Sequence, residues 1–169
     1  KALISHGPRP LLTVVGDDWQ SIYRFSGGKL ELTTRIGDIL GTHSVTKLEE
    51  TFRYSSSIAD VAGTFIMKNP EQYVKDVKTQ INDTKSQVYL LDSTVEDKNN
   101  LERRVAQVIR TIKNNDPSGS ISVLARYRYL LNSTKREVNA AGPNSSVNYW
   151  TFHGSKGLEA DYCILIGFF

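Results

Sequence analysis

Gly16-Asp17-Asp18-Trp19-Gln20-Ser21-Ile22-Tyr23-Arg24-Phe25-Ser26-Gly27-Gly28 sets two adjacent carboxylates ahead of a run that interleaves aromatic rings with a cation. Adjacent carboxylates can hold magnesium, although Asp-Asp after a strand more often makes a turn and a helix cap. Trp19, Tyr23 and Phe25 around Arg24 offer flat faces on which nucleic-acid bases stack. The same rings would also pack a domain interface, and composition does not separate the two. A second stretch, Thr51-Phe52-Arg53-Tyr54-Ser55-Ser56-Ser57, puts Arg53 just ahead of a serine-capped helix start. The positive end of a helix beside a guanidinium favours an anion, phosphate being the commonest. A surface arginine beside ordinary caps is the plainer alternative. The third, Ala125-Arg126-Tyr127-Arg128-Tyr129, alternates cation and aromatic after an apolar run, which suits a nucleic-acid backbone and its bases. Solvated cations beside half-buried tyrosines fit it equally. The fourth, Thr151-Phe152-His153-Gly154-Ser155-Lys156-Gly157-Leu158-Glu159, combines small residues with Thr, His, Ser and Lys. Small residues let backbone amides approach a phosphate closely.

Three absences narrow the chemistry. No Gly-x-Ser-x-Gly elbow supports a Ser-His hydrolase. No Gly-x-x-x-x-Gly-Lys-[Ser/Thr] loop cradles nucleotide phosphates, and no Asp-Glu pair ends an apolar strand to hold magnesium. Any nucleotide chemistry in these loops therefore lacks half of its site within this chain.

The elements that must position these loops alternate in type. Leu11–Val15, Val45–Phe52, Gln87–Leu91, Ile121–Ala125, Val147–Phe152 and Tyr162–Ile166 read as short apolar strands. Leu30–Leu40 carries Leu32, Ile36, Ile39 and Leu40 at helical spacing. Ser57 and Asp60 resemble a capping box ahead of the stripe Ile58, Val61, Ala62, Phe65 and Ile66. That helix should end by Asn69-Pro70. Asp97–Asn115, striped by Leu101, Val105, Val108, Ile109 and Ile112, predicts a second strong helix, and Leu130–Val138 a weaker one. Pro117-Ser118-Gly119 predicts a turn, and 71–86 a polar loop. Such alternation implies an α/β fold, a parallel sheet with helices on both faces. Ligands of such sheets sit in loops at the carboxyl ends of strands, which is where all four stretches fall.

Charged residues make up 23% and apolar residues 39%, with a net charge of +3; that is ordinary globular composition. The charge permits an anionic partner without demanding one. No apolar run approaches the roughly 18 residues of a membrane span. Cys163 is the only cysteine, which excludes an internal disulfide and is read most simply as a reducing, cytoplasmic setting. The chain starts at Lys1, has its only methionine at Met67, and stops directly after an apolar strand. It reads as a piece of a longer protein.

Together and in this order, the four stretches resemble the UvrD/Rep-type DNA helicases of superfamily 1. Val15 to Phe25 resembles motif III, Thr51 to Ser55 motif IV, Ser122 to Arg126 the segment called IVa, and Thr151 to Glu159 motif V. The resemblance implies a RecA-like (P-loop NTPase-type) fold. Residues 1–42 would be the tail of the first motor lobe, and 43–169 a truncated second lobe, with ATP in the cleft between them. It implies an ATP-dependent DNA helicase or translocase moving 3′ to 5′ on single-stranded or tailed duplex DNA. ATP and Mg2+ would serve the full-length protein. The Walker A, Walker B and motif VI segments would lie outside this chain, which alone should be inactive and bind no cofactor tightly. No membrane partner and no resident metal are expected; the setting would be the bacterial cytoplasm, near the nucleoid.

Residue by residue, Gln20 resembles the motif III glutamine that senses the γ-phosphate, and Arg53 the motif IV arginine that touches it. Gly157 and Glu159 match the nucleotide-facing end of motif V. Tyr23 and Phe25 match aromatics that contact single-stranded bases, Arg126 an arginine near the strand, and Thr151 and His153 contacts to its backbone. Ser26-Gly27-Gly28 departs from the family, many of whose members carry an arginine there. About 25 residues separate Arg126 from Thr151, too few for the large subdomain that many members insert. That absence and the wording of motif III are most like the helicase IV branch. An alternative with the same motifs is an ATPase that remodels RNA polymerase or another partner without unwinding.

Overall fold

The computed structural model of the chain describes residues 11–20, 34–91, 100–140, 142 and 147–168. Tyr23 and Phe25, two of the three expected motif III aromatics, lie outside those residues. The chain divides into two compact units, Lys1–Leu90 and Leu91–Phe169.

In the second unit, helix α3 (Asn100–Asn115) leads into β3 (Ile121–Ala125), α4 (Arg128–Ala140), β4 (Val147–Thr151) and β5 (Tyr162–Ile166). The three strands form one parallel sheet in the order β4-β3-β5. β3 is the central strand, and four of its five residues are buried. Residues of one parity face the core: Ile121, Val123 and Ala125 meet Ile166 and the helix residues Val105, Ala106, Ile109, Leu131 and Val138. The α3 stripe read from the sequence is what fills this cluster, because positions four and seven apart share a helix face. Helices α3 and α4 pack on each other as well as on the core. Cys163 and Leu165, which alternate onto the other face of β5, are exposed. The expectation of helices on both faces is therefore not met in this unit among the described residues. Its two amphipathic helices spend their apolar stripes on one face.

The amino edge of the sheet is clasped. Asp161 accepts hydrogen bonds from the Ser120 amide (2.8 Å) and hydroxyl (2.6 Å), and the Asp161 amide donates back to Ser120 Oγ (3.0 Å). Tyr162 N donates to Ser120 O at 3.0 Å. In the turn before β3, Asp116 accepts from Ser118 Oγ and Gly119 N, each at 2.9 Å. A Cβ at residue 119 would stand 2.4 Å from Asp116 Oδ2 and 2.7 Å from Tyr162 Cε2, so any side chain there would displace Asp116 and Tyr162.

The first unit is built from shorter pieces: a 3-10 turn at Asp18–Gln20, α1 (Ile36–Leu40), β1 (Glu50–Thr51), α2 (Ser56–Ile66) and β2 (Lys78–Thr79). β1 and β2 pair in parallel over two residues. The runs Leu11–Val15 and Gln87–Leu91 are not strands, and Val45–Phe52 contracts to Glu50–Thr51. These runs have strand composition but no ladder partner among the described residues, and they are exposed. Leu11, Val15 and Leu90 are each more than four-fifths exposed.

Helix α2 forms where its stripe predicts, but its cap differs. Its N-cap is Ser55, with no side-chain cap bond of its own. Asp83 replaces the expected Ser57–Asp60 box, accepting from Ser57 N (3.3 Å) and from the Ser57 hydroxyl, while Ser56 N donates to Ile81 O (2.9 Å). The Ser55 hydroxyl nearby and the hydrogen bonds from Ser57 hold the Asp83 carboxyl below its ordinary pKa, as suits an anion at a helix start. Among the described residues, no helix is long and apolar enough to cross a membrane.

Candidate functional site

The carboxyl edge of the three-stranded sheet gathers the IVa-like and V-like stretches. Ala125 pairs with Thr151 on one side and Ile166 on the other. Phe152 N donates to Ala125 O at 3.1 Å, carrying the ladder one step past β4. Arg126 and the loop that follows Thr151 therefore leave the sheet at the same level. This is the position at which a parallel sheet presents its ligand-binding loops.

The loop after β4 folds on itself. Thr151 O accepts Ser155 N (2.9 Å), and Ser155 O accepts Leu158 N (2.9 Å). Thr151 Oγ1 accepts Gly154 N (3.1 Å), and Ser155 Oγ donates to Phe152 O (3.0 Å). Gly157 sits at φ +82°, in the left-handed region that glycine enters at no steric cost. The amides of 154, 155 and 158 are thus used inside the loop. The expected cradle of backbone amides for a phosphate is not what these three form. What the loop does offer is a hydroxyl. Thr151 Oγ1 accepts a bond and still carries its own proton, and a phosphate oxygen can only accept. His153, Lys156, Gly157 and Glu159 are exposed around it.

Beside that loop stands an aromatic and cationic ledge. Tyr127 and Tyr129 stack with ring centroids 5.7 Å apart and planes 16° apart, and Arg126 Cζ lies 5.4 Å from the Tyr127 centroid. Both rings are about half exposed or more. The sequence showed the alternation of cation and ring here, but the pairing of Tyr127 with Tyr129 is a property of the turn into α4. On β4, Tyr149 is half-buried with Lys135 Nζ 5.8 Å from its ring, and burial pushes its phenol above the ordinary value.

Gln20 and Arg53 belong to the other unit. Gln20 closes the 3-10 turn, and its Nε2 donates to Asp17 Oδ2 at 2.7 Å. Asp17 also accepts Trp19 N (3.1 Å) and Lys75 Nζ (2.8 Å). Asp18 is 1% exposed; it pairs with Lys75 and accepts Tyr73 N at 2.8 Å. The Lys75 ammonium also lies 5.2 Å from the Trp19 ring centroid, and Trp19 Nε1 donates to Tyr73 O (3.4 Å). Burial raises the Asp17 carboxyl, but hydrogen bonds from Lys75 and Gln20 outweigh it and leave the pKa below the ordinary value. Lys75 is the mirror case: burial pulls its ammonium down, and Asp17 and Asp18 hold it above normal. The two carboxylates thus face a lysine, which corrects the magnesium reading of Asp17-Asp18. Nothing local in the sequence signals Lys75, which lies 58 residues from Asp17.

Arg53 is exposed in the bend after β1, its amide donating to Thr51 Oγ1 at 3.3 Å. The anion corner expected at the start of α2 is already filled by Asp83, whose carboxylate takes the Ser57 amide.

Comparison with known proteins gives these loops a context. Over 166 residues, 98% of the chain, the sequence is 34% identical to DNA helicase IV of Escherichia coli (strain K12). Over 75 residues, 44% of the chain, it is 33% identical to the ATP-dependent DNA helicase Rep of Escherichia coli (strain K12) and to that of Salmonella typhimurium. The chain spans about a quarter of the length of helicase IV (23%), and its match spans 11% of Rep. No family model matches the chain, and no solved structure does. A match of 166 residues takes in all four stretches, so the chain is related, along nearly its whole length, to the UvrD/Rep-type superfamily 1 DNA helicases.

Proposed function

We propose that this chain carries motifs III, IV, IVa and V of an ATP-dependent DNA helicase or translocase, which moves 3′ to 5′ on single-stranded DNA by closing two RecA-like lobes on ATP. The observation that carries the reading is the shared level of Arg126 and the Thr151–Glu159 loop at the carboxyl edge of the sheet, in a chain related to DNA helicases over 98% of its length. Residues 1–42 belong to the first lobe and 43–169 to the second. Arg126, Thr151 and His153 hold the DNA backbone, with Tyr23 and Phe25 on the bases. The ledge of Tyr127 and Tyr129 has the exposed rings that such a strand needs.

Gln20 and Arg53 face the γ-phosphate, with Gly157 and Glu159 at the nucleotide end of motif V. Mg2+ accompanies ATP, its ligands coming from elsewhere in the full-length protein. Phosphoryl transfer needs positive charge on the oxygens of the leaving and transferring groups, and an arginine supplied there is worth roughly 10³–10⁵ in rate. When that arginine comes from the opposite lobe, hydrolysis waits for the cleft to close. The protein works in the bacterial cytoplasm, on single-stranded or tailed duplex DNA.

The test is DNA-stimulated ATP turnover by the full-length protein. Arg53→Ala should lower kcat by roughly 10³-fold or more while DNA affinity without nucleotide stays within twofold. Turnover near wild type would remove Arg53 from the reaction. Strand separation on a tailed duplex distinguishes a helicase from an ATPase that only releases a bound partner.

A further inference from the structure

The 3-10 turn that ends in Gln20 is held from a distance. Lys75 Nζ approaches Asp17 Oδ1 at 2.8 Å, and the other oxygen of the same carboxylate, Oδ2, accepts Gln20 Nε2 at 2.7 Å. On the proposed division the relay joins Lys75 of the second lobe to the Asp17-Asp18 turn of the first. Lys75 also pairs with the buried Asp18 and lies against the Trp19 ring, and the neighbouring Tyr73 amide donates to Asp18 Oδ2 at 2.8 Å. Only 17% of the Lys75 side chain is exposed, so the ammonium is not a solvated surface group. A carboxylate accepts hydrogen bonds and donates none. The end of the Gln20 carboxamide turned toward Asp17 must therefore be the NH2. Its carbonyl Oε1 then points away from Asp17.

From this geometry we propose that Lys75 is a positioning residue for ATP hydrolysis, acting through Asp17 to fix which end of the Gln20 carboxamide faces the nucleotide. The inference rests on the reading that Gln20 faces the γ-phosphate. A glutamine there orients the attacking water, and the carbonyl is the end that accepts a proton from water. With the carboxylate anchored, Oε1 is presented to the water before nucleotide arrives, and no reorientation is needed during the reaction. Without Lys75, Asp17 keeps the bond from the Trp19 amide but loses its cation, and it holds the Gln20 amide less firmly. Asp17→Asn attacks the same relay at its centre, since a carboxamide at 17 can accept from or donate to Gln20 and no longer dictates its orientation.

The test uses DNA-stimulated ATP turnover of the full-length protein. Lys75→Met and Asp17→Asn should each lower kcat by roughly ten- to a hundredfold, with KM for ATP within twofold. Lys75→Arg, which keeps the cation, should recover most of the rate. In a Gln20→Ala background, Lys75→Met should cost nothing further, because the group it positions is gone. If Lys75→Met loses as much rate on Gln20→Ala as on wild type, its role is structural and the inference fails. It fails equally if Asp17→Asn, made at a half-exposed carboxylate, turns over like wild type. If Gln20→Ala itself keeps full turnover, the assignment of Gln20 to the γ-phosphate falls, and this inference falls with it. A loss in Gln20→Ala alone, with neutral Lys75→Met and Asp17→Asn, overturns only the relay.

Discussion

Asp161 closes the amino edge of the sheet with three hydrogen bonds to one serine. Those bonds, the Ser120 hydroxyl first and its amide next, hold the carboxyl below its ordinary pKa. A folded value below the unfolded one contributes stability above the unfolded pKa of about 3.9, and that stability is lost as pH falls through the folded value. Asp161→Asn imitates the protonated carboxyl. It should unfold at a lower midpoint than wild type at pH 7, and the gap should close as the pH drops below about 4, read by thermal unfolding across a pH series. A gap independent of pH would assign the clasp no role for charge. Side chains of this kind were partly legible in the sequence. Arg126, Thr151 and His153 could be named from their loops, and the sheet register brings those loops to one edge. The partners of Asp17 and Asp83 could not be read, because Lys75 lies 58 residues from Asp17, and Ser57 lies 26 from Asp83. Polar pairs between distant segments leave no periodic trace.

Helix α3 has its end at Asn115 and its stripe where periodicity places them, the expected start at Asp97 lying outside the described residues, and Ile109 at the centre of that stripe is fully buried in the cluster with β3. Ile109→Ala should therefore cost about 2–5 kcal/mol, the transfer term plus a cavity term. Val61 sits in an equally regular stripe on α2, yet it is 54% exposed. Val61→Ala should stay within about 0.5 kcal/mol, and urea unfolding of the two variants side by side checks both. Equal losses would mean that α2 buries its stripe in solution. The contrast explains which elements could be read in advance. β3 and β5 have the limits that their apolar runs suggest, since each finds parallel neighbours that satisfy its backbone. Leu11–Val15 and Gln87–Leu91 have the same composition and no ladder among the described residues, where composition alone suggests strands. Pattern reports what a segment can bury, and only a partner decides whether it does.

At the scale of the whole molecule, the proposed function gives Arg126 one measurable effect on DNA binding. Single-strand binding releases counterions, and log affinity falls against log salt with a slope of about 0.7 per phosphate neutralised. If Arg126 neutralises one phosphate, Arg126→Ala should reduce that slope by about 0.7 at every sequence tested, measured by fluorescence anisotropy with a labelled oligonucleotide. An unchanged slope would remove Arg126 from the backbone contact. The order β4-β3-β5 also sets where the gene can tolerate changes in length. Strand residues alternate between faces, so one residue inserted within β4 would turn Val147 and Tyr149 away from the core cluster and carry Thr151 off the level of Ala125. An insertion outside the strands leaves that alternation untouched, and each doubling of a flexible loop costs only about 0.6 kcal/mol. Natural variation in length should therefore gather in the connections and spare β4 itself.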